Sequence, residues 1–175
     1  RAARRLGDAV RLVTTRRVDF AVGQGLFSGR KYRDPRQHFI AISEGVRRVL
    51  LDGGVPPERI DVVLSGVPPL DPAAVWPRAR VRRRLAIPND ELAILNVGAL
   101  TDHKGQRWLI DAAPRVLQSF PACRIHILGE GERRADLEAQ IARLGLQDRV
   151  RLHGFVADAR LKLAGFDLYV SSSHL

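Results

Sequence analysis

Short apolar runs alternate with helical patterns along the second half of this chain, and this alternation restricts the possible folds more than any other feature. Four runs have the length and composition of buried strands: 91–98, 122–129, 149–154 and 166–170. Segments with helical spacing separate them, at 105–120, 132–144 and 158–165. Because strands that alternate with helices are joined by crossover connections, the pattern predicts an α/β fold with a parallel sheet.

The helical segment 105–120 carries apolar residues at a spacing that predicts one buried face. That face would consist of Trp108, Leu109, Ala112, Ala113, Val116, Leu117 and Phe120. Pro114 lies inside the segment, where a proline removes one backbone hydrogen bond, so we expect a kink or an irregular turn.

The first half repeats the alternation less regularly. It offers strands at 9–15, 38–43 and 60–65, and Ser43 can cap the helix that follows the second of them. The segment 65–77 holds four prolines and reads as a linker, and the basic run 78–86 reads as a helix. We therefore predict three parts, listed in chain order: 1–67, which ends one domain; 68–90, a linker with a connecting helix; and 91–175, a second domain.

Arginine dominates the charge of the chain. The formal net charge is +10, with 26 arginines and 3 lysines. This excess fits either a surface for phosphates, nucleic acid or anionic lipid, or an arginine-rich composition spread over solvated faces, and we favour the second interpretation. Aromatic residues make up 6% and are not interleaved with the arginines, so no nucleic-acid partner is expected.

Several other site classes are excluded by residue counts and spacing. Cys123 is the single cysteine, so neither an intrachain disulfide nor a thiol-based metal site can form, and a reducing compartment is indicated. The histidines are dispersed without metal-ligand spacing, so no metal site is predicted. No apolar run approaches the ~20 residues of a membrane span. The chain begins with Arg1 and ends at Leu175, and we expect a piece of a longer protein.

Ligands of open parallel sheets bind beyond the carboxyl ends of the strands, where four segments would lie: 98–105, 129–131, 154–158 and 171–174. Lys104 stands where a helix begins. A cation there opposes the helix dipole, although Thr101 or Asp102 could cap the helix, so Lys104 indicates a bound anion. The alternative is a solvated turn lysine.

Two further segments at this edge have competing interpretations. The sequence GEGERR from Gly129 resembles a dinucleotide fingerprint, but Arg134 occupies its third glycine position, so NAD binding is not expected and a tight turn remains the alternative. Phe155, Val156 and Asp158 offer an apolar wall and a carboxylate that suit a nucleobase. Alternatively, Asp158 caps the next helix.

The ordered motifs together resemble a known family. ISEGVRRVLLDGGVPPERIDVVLSGV, LNVGALTDHKGQRWLIDAA, IHILGEGERRADLEAQIARLGLQDRVRLHGFV and FDLYVSSS are similar to the family 4 (group 1) retaining glycosyltransferases, over residues 38–175. The resemblance implies a GT-B fold, with two Rossmann-like domains that are both truncated here. It also implies transfer of a sugar from a UDP- or GDP-linked donor to an acceptor with retention, without a cofactor or an essential metal. Residues 1–67 would belong to the acceptor domain and 91–175 to the donor domain.

The family's functional residues carry over one by one. Lys104 matches the lysine that holds the donor diphosphate and stabilises the leaving group, with Gly98 before it and Gly105 after it. Gly129 and Gly131 match the glycine turn beside the nucleotide. Phe155, Val156 and Asp158 match the segment that receives the base. Ser173 matches a serine close to the donor sugar.

Three positions depart from the family pattern. Ala99 stands where the family has an arginine that contacts the diphosphate, so Lys104 would act alone or with His103 or Arg107. Arg16 or Arg17 stands near the place of a histidine that faces the sugar, on the sugar or acceptor side. The carboxylate pair of the family should begin after Leu175, so these 175 residues alone are expected to be inactive.

The resemblance implies a saccharide or lipid-linked saccharide acceptor, a role in polysaccharide biosynthesis, and a cytoplasmic location at the inner face of the membrane. Two alternatives remain. Another GT-B enzyme, such as a sugar-nucleotide epimerase, would bind the same nucleotide. A non-enzymatic basic module would instead bind nucleic acid or anionic membrane in a salt-dependent way.

Overall fold

The computed structural model describes residues 10–22 and 30–174, with only the backbone of Arg30. By its internal contacts the chain divides into two compact units, Arg1–Pro68 and Pro69–Leu175. The structure does not describe Arg1, Arg4 and Arg5 or the first residue of the predicted strand 9–15.

The first unit is built on a three-stranded parallel sheet. The strands are β1 (Leu12–Arg16), β2 (Gln37–Ala41) and β3 (Ile60–Val62), in that order across the sheet. The helices are α1 (Arg30–Arg33) and α2 (Glu44–Asp52), with a 3-10 turn at Pro57–Arg59. As expected, Ser43 caps α2, because its side chain accepts a hydrogen bond from the Val46 amide at 3.2 Å.

The second unit contains the predicted four-stranded parallel sheet, in the order β6-β5-β4-β7. Its strands are β4 (Leu92–Val97), β5 (Cys123–Leu128), β6 (Val150–Gly154) and β7 (Leu168–Tyr169). Its helices are α3 (Arg78–Leu85), α4 (Gln106–Ser119) and α5 (Arg134–Arg143), and its 3-10 segments are Pro72–Ala74, Asp102–Lys104 and Ala159–Gly165.

Hydrophobic clusters cover both faces of this second sheet, which explains why its strands read as continuous apolar runs. One cluster joins alternate strand residues to Ile110 of α4 and Leu137 of α5. The other joins Leu95, Leu128 and Phe166 to Val81 of α3. Since successive strand residues point to opposite faces, the two clusters lie on opposite sides of the sheet.

The buried face of α4 differs from the predicted one. Ala113 is buried as predicted, and Leu109, Val116 and Leu117 pack against the core. Trp108, Ala112 and Phe120 are exposed, however, and the buried face also includes Gln106 and Ile110. The apolar residues form a band wider than the contact with the sheet, so periodicity located the band but not its centre. The helix also runs through Pro114 without an irregular turn, with Pro114 on its exposed side.

The capping interpretation of Asp158 was wrong. The segment 158–165 forms a short helix, as predicted, and it is a 3-10 helix, Ala159–Gly165. Asp158 does not cap it with its side chain, because its backbone is left-handed, with φ of 49°. Within the described part of the chain, none of the helices has the length and apolar character needed to span a membrane.

Candidate functional site

The carboxyl ends of β4, β5, β6 and β7 meet at one edge of the second sheet, as predicted. The amide of Gly98 donates to the Leu128 carbonyl at 3.0 Å, and the amide of Gly129 donates to the Gly154 carbonyl at 2.8 Å. On the other side of β4, the amide of Val170 donates to Leu95 at 2.8 Å. The segments that follow these four strands are therefore neighbours.

Glycines allow the loops after β4 and β5 to lie directly against each other. A Cβ atom added to Gly129, whose φ is 154°, would lie 1.9 Å from the Gly98 carbonyl oxygen. One added to Gly131 would lie 2.4 Å from the Leu100 oxygen. The sequence suggested close approach of a ligand as the reason for these glycines; in the structure they allow close approach of backbone to backbone.

Lys104 ends the 3-10 segment Asp102–Lys104, immediately before the left-handed Gly105 and the start of α4. Its aliphatic stem lies beside Gly98, where an added Cβ would be 3.5 Å from Lys104 Cδ. Within the described residues, the Lys104 ammonium forms no ion pair or hydrogen bond. The structure thus places an unpaired cation at the carboxyl edge of the sheet.

The start of α4 has no side-chain cap. Gly105 occupies the cap position and the first turn holds no acidic residue. The two candidate caps do not serve, since Thr101 makes no capping bond and Asp102 pairs with Arg133, with Oδ1 and Nε 3.2 Å apart. The positive end of the helix dipole and the Lys104 ammonium therefore remain uncompensated at one place, a combination that attracts anions.

Asn96 and Ser172 connect the loop after β7 to Lys104. The Ser172 hydroxyl donates to the Lys104 carbonyl at 2.9 Å, and Asn96 Nδ2 donates to the Val170 carbonyl at 2.8 Å and to Ser172 Oγ at 3.3 Å. Asn96 is buried, and its Oδ1 has no hydrogen-bond partner among the described residues. Neither residue was predicted from the sequence, although the polar Asn96 within the apolar run LAILNV was an available signal.

The predicted base-binding residues are only partly brought together. Phe155 is 78% exposed, and with Val156 it lines a cavity of about 420 Å³. Asp158 is exposed and does not line that cavity, and Ser173 is exposed beside Ser172. Neither Lys104 nor the predicted site glycines line the cavity of Phe155 and Val156.

The two candidate arginines of the first unit differ in their surroundings. Arg16 is buried, and its guanidinium donates to the Val18 carbonyl at 3.1 Å, to the Phe20 carbonyl and to the Tyr32 hydroxyl. Arg17 is exposed. The Arg16 side chain is thus engaged within its own unit, whereas that of Arg17 reaches solvent.

His126 is buried, and His153 beside it is half-buried. His126 Nε2 is 2.6 Å from Glu91 Oε1, and His126 Nδ1 is 2.8 Å from His153 Nε2. Burial lowers the pKa of both imidazoles, that of His153 to about 4, with the neighbouring His126 contributing. When both rings are neutral, His153 donates to His126, which donates to the Glu91 carboxylate. This polar network was not predicted from the sequence.

The described residues contain no group of three or more histidine, cysteine, aspartate or glutamate side chains that could hold a metal ion.

Residues 91–174 match the family model of Glycosyl transferases group 1. The uncharacterized glycosyltransferase MJ1607 of Methanocaldococcus jannaschii is 34% identical over 110 residues, 61% of this chain and 28% of the relative. The lipopolysaccharide core biosynthesis glycosyltransferase LpsE of Rhizobium meliloti is 36% identical over 94 residues, 53% of this chain and 26% of the relative. The chain spans between a quarter and a third of these relatives.

Solved structures show the same architecture. Anabaena HepE in complex with UDP-glucose superposes with a TM-score of 0.71 at 26% identity, over 93% of this chain and 47% of HepE. WaaG, a glycosyltransferase involved in lipopolysaccharide biosynthesis, superposes with a TM-score of 0.67 at 19% identity, over 81% of this chain and 40% of WaaG. The chain therefore has the predicted α/β fold of the GT-B glycosyltransferases, with a glycosyl transferases group 1 domain matched at residues 91–174.

Proposed function

We propose that this chain is part of a retaining glycosyltransferase that moves a sugar from a UDP- or GDP-linked donor to a saccharide or lipid-linked saccharide. The observation that carries the proposal is the unpaired Lys104 ammonium at the uncapped start of α4, on the carboxyl edge of the sheet. The match to the family model and the fold shared with HepE, solved with UDP-glucose, support it.

The proposed mechanism is stabilisation of the leaving group. As the glycosidic bond breaks, negative charge grows on the nucleoside diphosphate, and Lys104 and the amides of the α4 start meet that charge. Ser172 fixes the Lys104 backbone beforehand, so the cation needs little reorganisation during the reaction. Removing one such preorganised contact typically costs about 3–4 kcal/mol in the transition state.

The remaining donor contacts are proposed from the family resemblance. The edge formed by Gly98, Gly129 and Gly131 would face the nucleotide, with Phe155, Val156 and Asp158 receiving its base and Ser173 near its sugar. No cofactor or resident metal takes part in this proposal. Because Ala99 provides no charge, Lys104 bears the main electrostatic role; Arg107 is stacked on Trp108, with its Cζ 4.2 Å from the ring centroid.

The acceptor side is assigned to the first unit, and Arg17 is its exposed candidate for an acidic or phosphorylated acceptor. The similarity to LpsE, a lipopolysaccharide core enzyme, supports a lipid-linked saccharide acceptor and a place at the cytoplasmic face of a membrane.

The test is product analysis with the complete protein. UDP- and GDP-linked sugars are supplied with saccharide acceptors, and the new glycosidic bond is examined by NMR. An anomeric configuration equal to that of the donor supports the proposal, and inversion contradicts retention. An epimerised or free sugar without a new glycoside would instead favour the epimerase alternative.

A further inference from the structure

The outer side of α3 carries a cluster of arginines that the proposed donor site does not use. Arg80, Arg83 and Arg84 are exposed, while Val81 and Arg82 of the same helix are buried. Arg151 of β6 lies nearby across a cavity of about 420 Å³, and Arg80 and Arg83 line a second cavity of about 540 Å³. The two cavities adjoin, because Trp76 and Arg84 line both.

This cluster lacks counter-charges. Neither cavity is lined by a carboxylate from the described part of the chain. The side chains of Arg80, Arg83, Arg84 and Arg151 form no ion pair or hydrogen bond with any described residue. By contrast, Arg78 and the buried Arg82 both pair with Asp167. Unpaired guanidinium groups gathered on one surface create a positive potential that concentrates anions.

The Trp76 ring contacts two cations, Arg80 and Lys162. The Arg80 guanidinium lies 3.8 Å from the centroid of the Trp76 ring, and Lys162 Nζ lies 4.6 Å from it. The Trp76 backbone amide donates to Leu161 at 2.9 Å, and Lys162 is itself held by the Ala157 carbonyl. Phe155 and other apolar side chains line the same cavity. The surface therefore offers guanidinium groups for an anion next to apolar contacts for the group attached to it.

We propose that the cluster of Trp76, Arg80, Arg83, Arg84 and Arg151 is a second anion site that binds the phosphate of a phosphate ester. Guanidinium groups pair with phosphate oxygens in bidentate fashion, and the apolar wall packs against the esterified group. The guanidinium groups are distinct from the proposed diphosphate site, because Lys104, Gly98 and Gly129 line neither cavity. The 420 Å³ cavity is shared with Phe155 and Val156, which are proposed to receive the base of the donor. The ester is either a lipid headgroup in a membrane or a soluble phosphorylated molecule, and the two share this chemistry.

The test uses the complete protein carrying Lys104→Ala, so that binding at the proposed donor site does not obscure the result. One arm titrates inorganic pyrophosphate by calorimetry. The other measures sedimentation with phosphatidylglycerol–phosphatidylcholine vesicles and with phosphatidylcholine vesicles alone. The test variant adds Arg83→Gln and Arg84→Gln. The matched control adds Arg48→Gln and Arg115→Gln, which remove two equally exposed, unpaired charges elsewhere.

We expect the Arg83→Gln/Arg84→Gln variant to bind at least about tenfold more weakly than its parent, since two charge-assisted contacts are lost, while the control binds as its parent does. Binding to anionic vesicles without pyrophosphate binding identifies a lipid headgroup, and pyrophosphate binding identifies a soluble ester. If neither probe binds, or if both double variants lose affinity equally, the site does not exist. Because Lys104 is absent throughout, the donor-site proposal is tested separately.

Discussion

The hydroxyl of Ser172 donates a 2.9 Å hydrogen bond to the backbone carbonyl of Lys104, and so ties the loop after β7 to the 3-10 segment that precedes α4. Gly105 allows the two segments to approach this closely, because a Cβ at that position would lie 2.1 Å from the backbone carbonyl oxygen of Ser172. The candidate anion site is thus assembled from two strand exits that are 68 residues apart in sequence.

Substituting Ser172 should disturb the site through Lys104. Ser172→Ala removes the hydrogen bond to the Lys104 carbonyl, and we expect a loss of about 0.5–1.5 kcal/mol in the free energy of unfolding together with weaker UDP binding. Ser173→Ala is the matched control for stability, because Ser173 is exposed. Chemical denaturation and calorimetry measure the two effects. Equal stability of both variants would show that the hydrogen bond does not position Lys104.

Lys104 itself should matter for the ligand rather than for the fold. Lys104→Ala should leave the free energy of unfolding equal or slightly higher, because a cation leaves the positive end of the α4 dipole. Binding of the nucleoside diphosphate should weaken by about 1.5–3 kcal/mol, roughly ten- to a hundredfold, while binding of the free nucleoside should stay the same.

The measurement is calorimetry with uridine and UDP, and with guanosine and GDP. Arg115→Ala is the control, since it removes an exposed cation from the same helix. If Lys104→Ala weakens nucleoside and diphosphate equally, the residue contacts the base or supports the fold. If neither changes, Lys104 is a solvated turn residue.

The strands and the sheet edge could be predicted from the sequence because apolar runs and helical spacing are local signals. The centre of the buried stripe on α4 could not, because Ile110 and Trp108 both satisfy the helical period and only tertiary packing distinguishes them. The inward direction of Arg82 was also hidden, because its partner Asp167 is 85 residues away. The links from Asn96 to Ser172 and from Ser172 to Lys104 likewise depend on which strands are neighbours.

Gly129 provides a test of the loop packing at the strand exits. Gly129→Ala should lower the free energy of unfolding by about 2 kcal/mol or more, since the new Cβ would overlap the Gly98 carbonyl at a backbone φ that alanine rarely adopts. Gly66→Ala is the control, because nothing lies within 4 Å of its added Cβ and its φ lies outside the left-handed region that L residues rarely adopt. A neutral or slightly stabilising effect is therefore expected. Denaturant unfolding compares the two. Similar stabilities would indicate that the loops separate easily.

The histidine pair should make the stability of the second unit depend on pH. Burial and the adjacent His126 lower the pKa of His153 to about 4 in the folded protein, against a value of 6.5 without these effects. Between these two values the unfolded chain binds more protons than the folded chain, so the stability contributed by neutral His153 is fully present above pH 6.5 and is lost as the pH falls towards 4.

His153→Gln removes the titrating ring and retains an amide that can donate to His126. We expect it to flatten the decrease in the free energy of unfolding between pH 6.5 and 4.5, measured by urea denaturation at a series of pH values. His103→Gln is the control, because His103 is exposed and lies apart from the pair, at the strand exits. Parallel pH profiles for wild type and His153→Gln would show that other groups cause the decrease. A flatter profile for His153→Gln alone would assign the decrease to the histidine pair.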